Sequence, residues 1–208
     1  MMSATSNVWL LDEPVEAEQV IMIIRHAEKP GRSGNPKGVS PEGEFDKHSL
    51  TVNGWLRAGA LVGLFAPARG EPPSGLYRPD TVYGPAHREG HSKRSAQTVT
   101  PLAARLGLDV VQRYAVGDEA ALAGELRARP GAALVSWKHE SLHKIIENLG
   151  EVSPAPPEHW PSDRFDVVWT FTRHGSGWRF AQVPQFLLPG DLPYPIADPD
   201  PVDDRISA

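Results

Sequence analysis

The 208-residue chain contains no cysteine. This absence excludes disulfide bonds, catalysis by a thiolate and zinc sites with cysteine ligands. Basic residues are also few, since 21 Lys and Arg stand against 26 Asp and Glu, for a formal net charge of −5. Non-specific nucleic-acid binding needs a basic surface, so we expect no nucleic-acid partner. No apolar run approaches the roughly 18 residues of a membrane span, so we expect no membrane partner either.

The composition, with 40% hydrophobic and 23% charged residues, is that of an ordinary globular protein. Without an internal repeat or a clear linker, it predicts a single domain over residues 1–208. Residues 1–18 are expected to form an N-terminal extension, and 187–208 a C-terminal tail rich in Pro and Asp. The extension lacks a basic segment and a long apolar stretch, which predicts a cytoplasmic location. The sequence does not indicate the oligomeric state.

Five consecutive apolar residues, Val20-Ile21-Met22-Ile23-Ile24, predict a strand that is buried on both faces. Arg25 and His26 follow directly and therefore lie at the carboxyl end of this strand, where open α/β sheets bind ligands. An arginine offers a fixed cation for a phosphate, and a histidine offers a nitrogen that can attack phosphorus. This segment indicates a site for phosphoryl transfer.

Further strands and helices alternate along the chain. Helices are predicted over 50–66, 92–106, 118–129 and 141–149, and strands over 81–83, 108–111, 132–137, 165–172 and 178–183. Thr51 or Asn53 is expected to cap the first helix, and Gly107 to end the second, which Pro101 could kink. This order predicts an α/β fold, a three-layer α/β/α sandwich around a mostly parallel central sheet.

Two more positions could carry chemistry. Arg94 lies on the helix that follows the strand over 81–83, and His139 directly follows the strand over 132–137. Each of them alone is more easily explained by a structural role. Because parallel strands end at one edge of a sheet, however, we expect His139 and His26 to lie close together.

Four segments occur in a characteristic order over about residues 20–149. They are Arg25-His26-Ala27, then Leu50-Thr51 leading to Gly54 and Ala58, then Arg94-Ser95-Ala96-Gln97-Thr98 with Pro101-Leu102-Ala103 and Leu106-Gly107, and finally a strand ending in His139. Together they resemble the histidine phosphatase superfamily, with its phosphoglycerate mutase-like and acid phosphatase-like branches. The resemblance implies that His26 is phosphorylated during turnover, and that Arg25, Arg94 and His139 bind the phosphoryl group. Two arginines and a second histidine supply enough positive charge for phosphoryl transfer, so we expect no metal ion and no other cofactor.

The residue that protonates the leaving group has two candidate positions. Acid phosphatase-like members carry an Asp directly after the second His, where this chain has Glu140. Mutase-like members supply a Glu from a segment that corresponds here to Asp118 and Glu119. We favour Glu140, because adjacency to His139 holds it at the edge of the sheet. Lys29 is a further candidate for substrate binding.

The proposed chemistry also predicts protonation states. His26 must be neutral to attack, and a hydrogen bond from its ring to a backbone carbonyl would fix the tautomer. A protonated His139 would add a donor for the phosphoryl group. Two departures from the family pattern stand out: Ala27 replaces a common Gly and requires a negative φ, and Trp137-Lys138 precede His139 where small or polar residues are usual. Trp137 could line the pocket or belong to the core.

Other functions remain open at this point. They are a mutase-like phosphotransferase, a non-catalytic phospholigand-binding protein, and a zinc metallopeptidase through His139-Glu140-Ser141-Leu142-His143. The zinc motif requires both histidines in one helix, whereas the predicted strand reaches up to His139, and it leaves Arg25 and Arg94 unexplained. We therefore expect a phosphatase that acts on a small phosphomonoester or on a phosphorylated protein.

Overall fold

The computed structural model describes residues 19–31, 33–87 and 91–197. The expected N-terminal extension and the last part of the expected tail, residues 198–208, lie outside these ranges. The strands are β1 (Gln19–Arg25), β2 (Thr81–Tyr83), β3 (Val110–Val111), β4 (Gly131–Trp137), β5 (Val152–Ser153), β6 (Val167–His174) and β7 (Gly177–Pro184). The helices are α1 (Val52–Phe65), α2 (Arg94–Leu106), α3 (Glu119–Ala128) and α4 (Leu142–Glu147), and a 3₁₀ turn spans His139–Ser141.

In the described part of the chain, these strands form one sheet in the order β3-β2-β4-β1-β6-β7-β5. The pairs β2–β3, β2–β4, β1–β4 and β5–β7 are parallel, whereas β6 is antiparallel to both β1 and β7. The sheet is therefore mostly parallel, as predicted. No helix in the described ranges combines the length and the hydropathy needed to cross a lipid bilayer.

Strand β1 lies at the centre of the sheet and is buried on both faces. Val20, Met22 and Ile24 pack with residues of α1 and α2, while Ile21 and Ile23 pack with residues of α3 and α4. All five side chains are at most 1% exposed. Burial of each such side chain stabilises the fold by about 1.5–3 kcal/mol. The α/β/α layers predicted from the sequence are therefore present.

Helix α1 begins and helix α2 ends at the capping residues that the sequence predicted. Thr51 caps α1, and its Oγ1 accepts a hydrogen bond of 3.2 Å from the backbone N–H of Gly54. A Cβ on Gly54 would lie only 2.6 Å from the carbonyl oxygen of Glu28, so glycine allows α1 to approach the segment after β1. Helix α2 continues through Pro101 and ends at Gly107, which has φ of 70°.

Two elements differ from the sequence prediction. Strand β5, which pairs in parallel with β7, was not predicted, because two residues carry no periodic signal. The helix expected over 141–149 begins instead with the 3₁₀ turn and continues as the six-residue α4. Neither difference alters the order of strands and helices that surrounds the carboxyl ends of β1, β2 and β4.

The register of β1 and β4 brings two predicted residues together. Arg25 is paired with Trp137, and the backbone N–H of His26 donates to the carbonyl oxygen of Trp137 over 3.1 Å. The segments that carry His26 and His139 therefore leave the sheet side by side. This position is the carboxyl edge expected for a ligand site.

Candidate active site

His26 is held as a neutral imidazole. Its Nδ1 lies 2.7 Å from the carbonyl oxygen of Ala27. Because a carbonyl can only accept a hydrogen bond, Nδ1 carries the proton and Nε2 keeps its lone pair. Burial, together with the positive charges of Arg25 and Arg94, lowers the pKa of His26 to about 3, although the Ala27 carbonyl acts in the opposite direction. The hydrogen bond predicted for the chemistry is thus present.

The segment after β1 is anchored to α2. Ala27 is fully buried, and its backbone N–H donates to Thr98 Oγ1 over 2.8 Å. Thr98 Oγ1 in turn donates to the carbonyl oxygen of Arg94 over 2.7 Å. Among the described residues other than glycine, only Phe186 has a positive φ. Ala27 therefore has the negative φ that was expected of an alanine at this position. These contacts fix the position of His26 relative to the start of α2.

Arg25 is almost completely buried, with 1% of its surface exposed. One nitrogen, Nη1, donates to the carbonyl oxygens of Pro161 at 3.0 Å and Arg164 at 3.1 Å. The guanidinium carbon lies 4.0 Å from the ring centroid of Phe165, a cation–π contact. Burial lowers the pKa of Arg25 to about 10, which leaves the side chain charged at neutral pH. Its Nε and Nη2 are buried without a hydrogen-bond partner among the described residues.

His139 lies next to His26, with ring centroids 6.1 Å apart and planes at 80°. Its Nδ1 is 3.0 Å from Glu140 Oε2, but without the geometry of a hydrogen bond. Burial and the charge of Arg25 lower the pKa of His139, so the ring is neutral at neutral pH. The protonated second histidine was expected as a donor to a bound phosphoryl group, and for that complex it stays a prediction. Burial is the larger cause of the lowered pKa and the charge of Arg25 is the second, and sequence spacing reveals neither.

Arg94 reaches the same region from the first turn of α2. Its Nη1 donates to the carbonyl oxygen of Lys47 over 3.2 Å, which ties the helix to the loop before α1. Its Nε is buried and has no partner within the described ranges. Burial lowers the pKa of Arg94, and Glu140 and Asp46 oppose this effect.

Unpartnered donors are concentrated at this edge of the sheet. Seven buried side-chain N or O atoms lack a hydrogen-bond partner in the described part of the chain. Three of them are guanidinium nitrogens of Arg25 and Arg94, and a fourth is His139 Nδ1, which lies 3.0 Å from Glu140 Oε2 without hydrogen-bond geometry. An unsatisfied buried donor costs about 1–3 kcal/mol, so native proteins retain few of them. This concentration indicates a site for a group with several acceptor oxygens.

A cavity of about 440 Å³ opens beside these donors. Four residues predicted for the site line it, namely His26, Lys29, Arg94 and Glu140. Arg25 and His139 do not line the cavity wall but adjoin His26. The structure thus brings the six predicted residues together at one edge of the sheet.

The cavity also contains basic residues that the sequence did not single out for the site: His48, His91 and Lys138. His48 belongs to the loop before α1, and His91 precedes α2. Lys138 follows β4 and directly precedes His139, and this position is the one feature of the sequence that could have indicated a role for Lys138 in the site. Loop residues carry no periodic pattern, so their approach to the cavity could not be predicted.

Glu140 is the carboxylate on the cavity wall, and its side chain is 51% exposed. Burial acts to raise the pKa of Glu140, but its own backbone N–H and the charges of neighbouring side chains outweigh burial and lower it. Glu140 is therefore ionised at neutral pH in the free protein. A bound dianion would raise its pKa.

The alternative carboxylates lie elsewhere. Glu119 is buried and accepts hydrogen bonds from the backbone of Gly117 and, over 3.0 Å, from Trp137 Nε1. Asp118 accepts a hydrogen bond from the backbone of Ala115 over 2.9 Å. Neither residue lines the cavity. Trp137 is fully buried in the core and does not line the cavity either.

A buried ion-pair network supports the segment after His26. Arg57 binds Glu28 Oε1 at 2.8 Å and Asp191 Oδ1 at 2.7 Å, and it also donates to Gln185. The network connects α1, the segment after β1 and the segment after β7. Glu28 is therefore a partner of Arg57, and it does not line the cavity.

The histidines of the zinc motif do not share a helix. His139 lies in the 3₁₀ turn, whereas His143 lies in α4. His143 Nε2 is 2.9 Å from the carbonyl oxygen of Pro157, and its ring packs edge-on against Trp169 at 5.6 Å. No group of three or more metal-ligating side chains occurs among the described residues. The geometry thus does not support the motif as a zinc site.

No protein-family model matches the chain, and no curated protein sequence is significantly similar to it. Solved structures do match. The protein histidine phosphatase SixA, solved with tungstate, has a TM-score of 0.52 and 16% identity, over 80% of this chain and 97% of that chain. A phosphoserine phosphatase from Entamoeba histolytica, solved with phosphoserine, has a TM-score of 0.47 and 12% identity, over 81% and 98%. The ecdysone phosphate phosphatase of Bombix mori, solved with tungstate, has a TM-score of 0.46 and 13% identity, over 90% and 99%. The likeness to SixA shows that this chain has the histidine phosphatase fold, as its sequence motifs predicted.

Proposed function

We propose that the protein is a phosphomonoester hydrolase that forms a phosphohistidine on His26. The observation that carries the proposal is the neutral His26 beside Arg25 and Arg94, whose buried guanidinium nitrogens have no partner among the residues that the structure describes, and beside His139. A phosphoryl group has the oxygens to satisfy such donors. The tungstate in the SixA structure is also a tetrahedral oxyanion, which supports an oxyanion site on this fold.

In the first step, His26 Nε2 attacks phosphorus and the bond from phosphorus to the ester oxygen breaks. Glu140, on the cavity wall, donates a proton to the departing oxygen. Glu140 is ionised in the free protein, so it must gain a proton once the dianionic substrate has raised its pKa. In the second step, water attacks the phosphohistidine, Glu140 takes a proton from the water, and His26 is released with inorganic phosphate.

The arginines and His139 act on the charge of the transferring group. Phosphoryl transfer spreads negative charge over three equatorial oxygens, and fixed donors stabilise that charge. Arg25 has two free nitrogens, Nε and Nη2, which form one edge of the guanidinium fork and suit bidentate binding. Loss of one such donor typically lowers the rate by about 10²–10³-fold.

The substrate class is part of the same proposal. We infer that the enzyme hydrolyses small phosphomonoesters, because a cavity of about 440 Å³ suits a small ligand. The single domain, the cytoplasmic location and the independence from metal ions stay predictions.

The test is hydrolysis of a panel of aryl and alkyl phosphates in the presence of a chelator. We expect release of inorganic phosphate by the wild type and a loss of about 10³-fold or more in the variant His26→Ala. The variant His174→Ala is the matched control, because His174 is exposed and lies beyond Thr172, which pairs with the start of β1 at Val20. Rapid quenching with ³²P-labelled substrate should trap an acid-labile adduct. Wild-type turnover by His26→Ala would refute the mechanism.

A further inference from the structure

The cavity is larger than a phosphoryl group requires, and its two sides differ in chemistry. Strands β3 and β2 lead into apolar lining residues: Ala115 and Val116 follow β3, and Pro85 and Ala86 follow β2. Strands β4 and β1 lead into lysines, since Lys138 follows β4 and Lys29 follows β1. The strand order β3-β2-β4-β1 therefore places an apolar wall on one side and two lysines on the other.

The cavity wall carries a net positive charge that is not confined to the arginine at the start of α2. Lys29, Arg94 and Lys138 line the cavity, and Glu140 is the one carboxylate among its described lining residues. Three cations against one carboxylate leave two positive charges on the wall, whereas the charge of Arg25 behind the wall is opposed by Glu140, Asp163 and Glu28. The nearby carboxylates Glu28 and Asp46 are bound to Arg57 and Lys93 instead.

The lysines themselves are poorly compensated. Lys29 has no ion pair within 4 Å among the described residues, and Lys138 lies 3.9 Å from Glu140. Burial and, to a smaller extent, repulsion by the charge of Arg25 lower the pKa of Lys29. The charged form of Lys29 is therefore destabilised in the free protein. An anion beside Lys29 and Lys138 would relieve that repulsion.

We propose that Lys29 and Lys138 bind a second anionic group on the substrate, while the wall of Pro85, Ala86, Ala115 and Val116 packs against an apolar body that joins it to the phosphate. The substrate class is thus a small phosphomonoester with an apolar body and an additional negative charge such as a carboxylate. The inference rests on the proposed function for its chemistry but makes a separate claim about binding.

The binding test uses non-hydrolysable ligands that differ only in charge. The affinity of 4-carboxybenzylphosphonate is compared by calorimetry with that of its neutral isostere, 4-carbamoylbenzylphosphonate. We expect the carboxylate to bind roughly five- to tenfold more tightly to the wild type, because two partly exposed ion pairs each contribute a modest amount. The ratio should fall toward one in Lys29→Met and Lys138→Met. Lys144→Met, an exposed lysine of α4 that does not line the cavity, should keep the wild-type ratio.

The outcomes separate this inference from the proposed function. A wild-type ratio near one, or a ratio that persists in both cavity variants, overturns the subsite. The corresponding aryl phosphates, 4-carboxyphenyl and 4-carbamoylphenyl phosphate, report on turnover. If neither is hydrolysed but the affinity ratio depends on the lysines, the phosphatase proposal fails and the anionic subsite stands.

Discussion

The buried neutral state of His26 makes the stability of the protein depend on pH. In the folded protein the pKa of His26 is lowered to about 3, chiefly by burial, from an ordinary value of 6.5. Between these two values the unfolded chain binds a proton that the folded chain excludes. The contribution of His26 is fully present above pH 6.5 and is lost progressively as the pH falls toward 3.

The size of the effect follows from the width of this window. Each pH unit below 6.5 changes the free energy of unfolding by about 1.4 kcal/mol, so a fall from pH 6.5 to pH 5 removes about 2 kcal/mol. For a chain of this size, 2 kcal/mol corresponds to a fall of about 4–8 °C in Tm. The substitution His26→Asn retains an N–H in place of Nδ1–H and removes the titration.

The assay is urea unfolding at pH 7 and pH 5 in buffers without phosphate. We expect the wild type to lose about 2 kcal/mol more than His26→Asn over this interval, since the other titrating groups are common to both proteins. His159→Asn, at an exposed position, is the matched control and should keep the wild-type pH dependence. Identical pH dependence of wild type and His26→Asn would show that His26 takes up a proton in the folded state, and the reasoning would be wrong.

Three further substitutions test the remaining contacts. Glu140→Gln should slow hydrolysis of alkyl phosphates by about 10²–10³-fold but that of 4-nitrophenyl phosphate far less, because nitrophenolate leaves without a proton; equal losses in steady-state kinetics would exclude Glu140 as the acid. Arg25→Lys should lower kcat/KM by about 10²–10³-fold, because a lysine cannot bind a phosphoryl group bidentately; a loss below tenfold would contradict this role. Arg57→Met should lower the free energy of unfolding by about 3–5 kcal/mol in urea, because Glu28 and Asp191 would lose their cation; a loss below about 1 kcal/mol would show that the network is not needed.

Local chemistry fixed much of the fold. The apolar run of β1, the capping hydroxyl of Thr51 and the left-handed glycine at Gly107 act on neighbours a few residues away, so the sequence alone predicts them. The edge of the sheet that carries His26 and His139 also follows from the sequence, because parallel strands end together.

The tertiary structure decided the support of the site. The carbonyl groups of Pro161 and Arg164 and the ring of Phe165 hold Arg25, although they lie about 140 residues further along the chain. Strand β5 likewise depends on β7 rather than on its own two residues. Such contacts leave no local pattern, because each is made only when the chain has folded.

Protonation was the second property that only the folded chain determined. The residue types at positions 26, 139 and 140 were evident from the sequence, and they suggested a charged second histidine. In the free protein, the structure gives a neutral His139 and an ionised Glu140. The physical reason is that a pKa reflects burial and every nearby charge together, and those surroundings are assembled from segments distant in the chain.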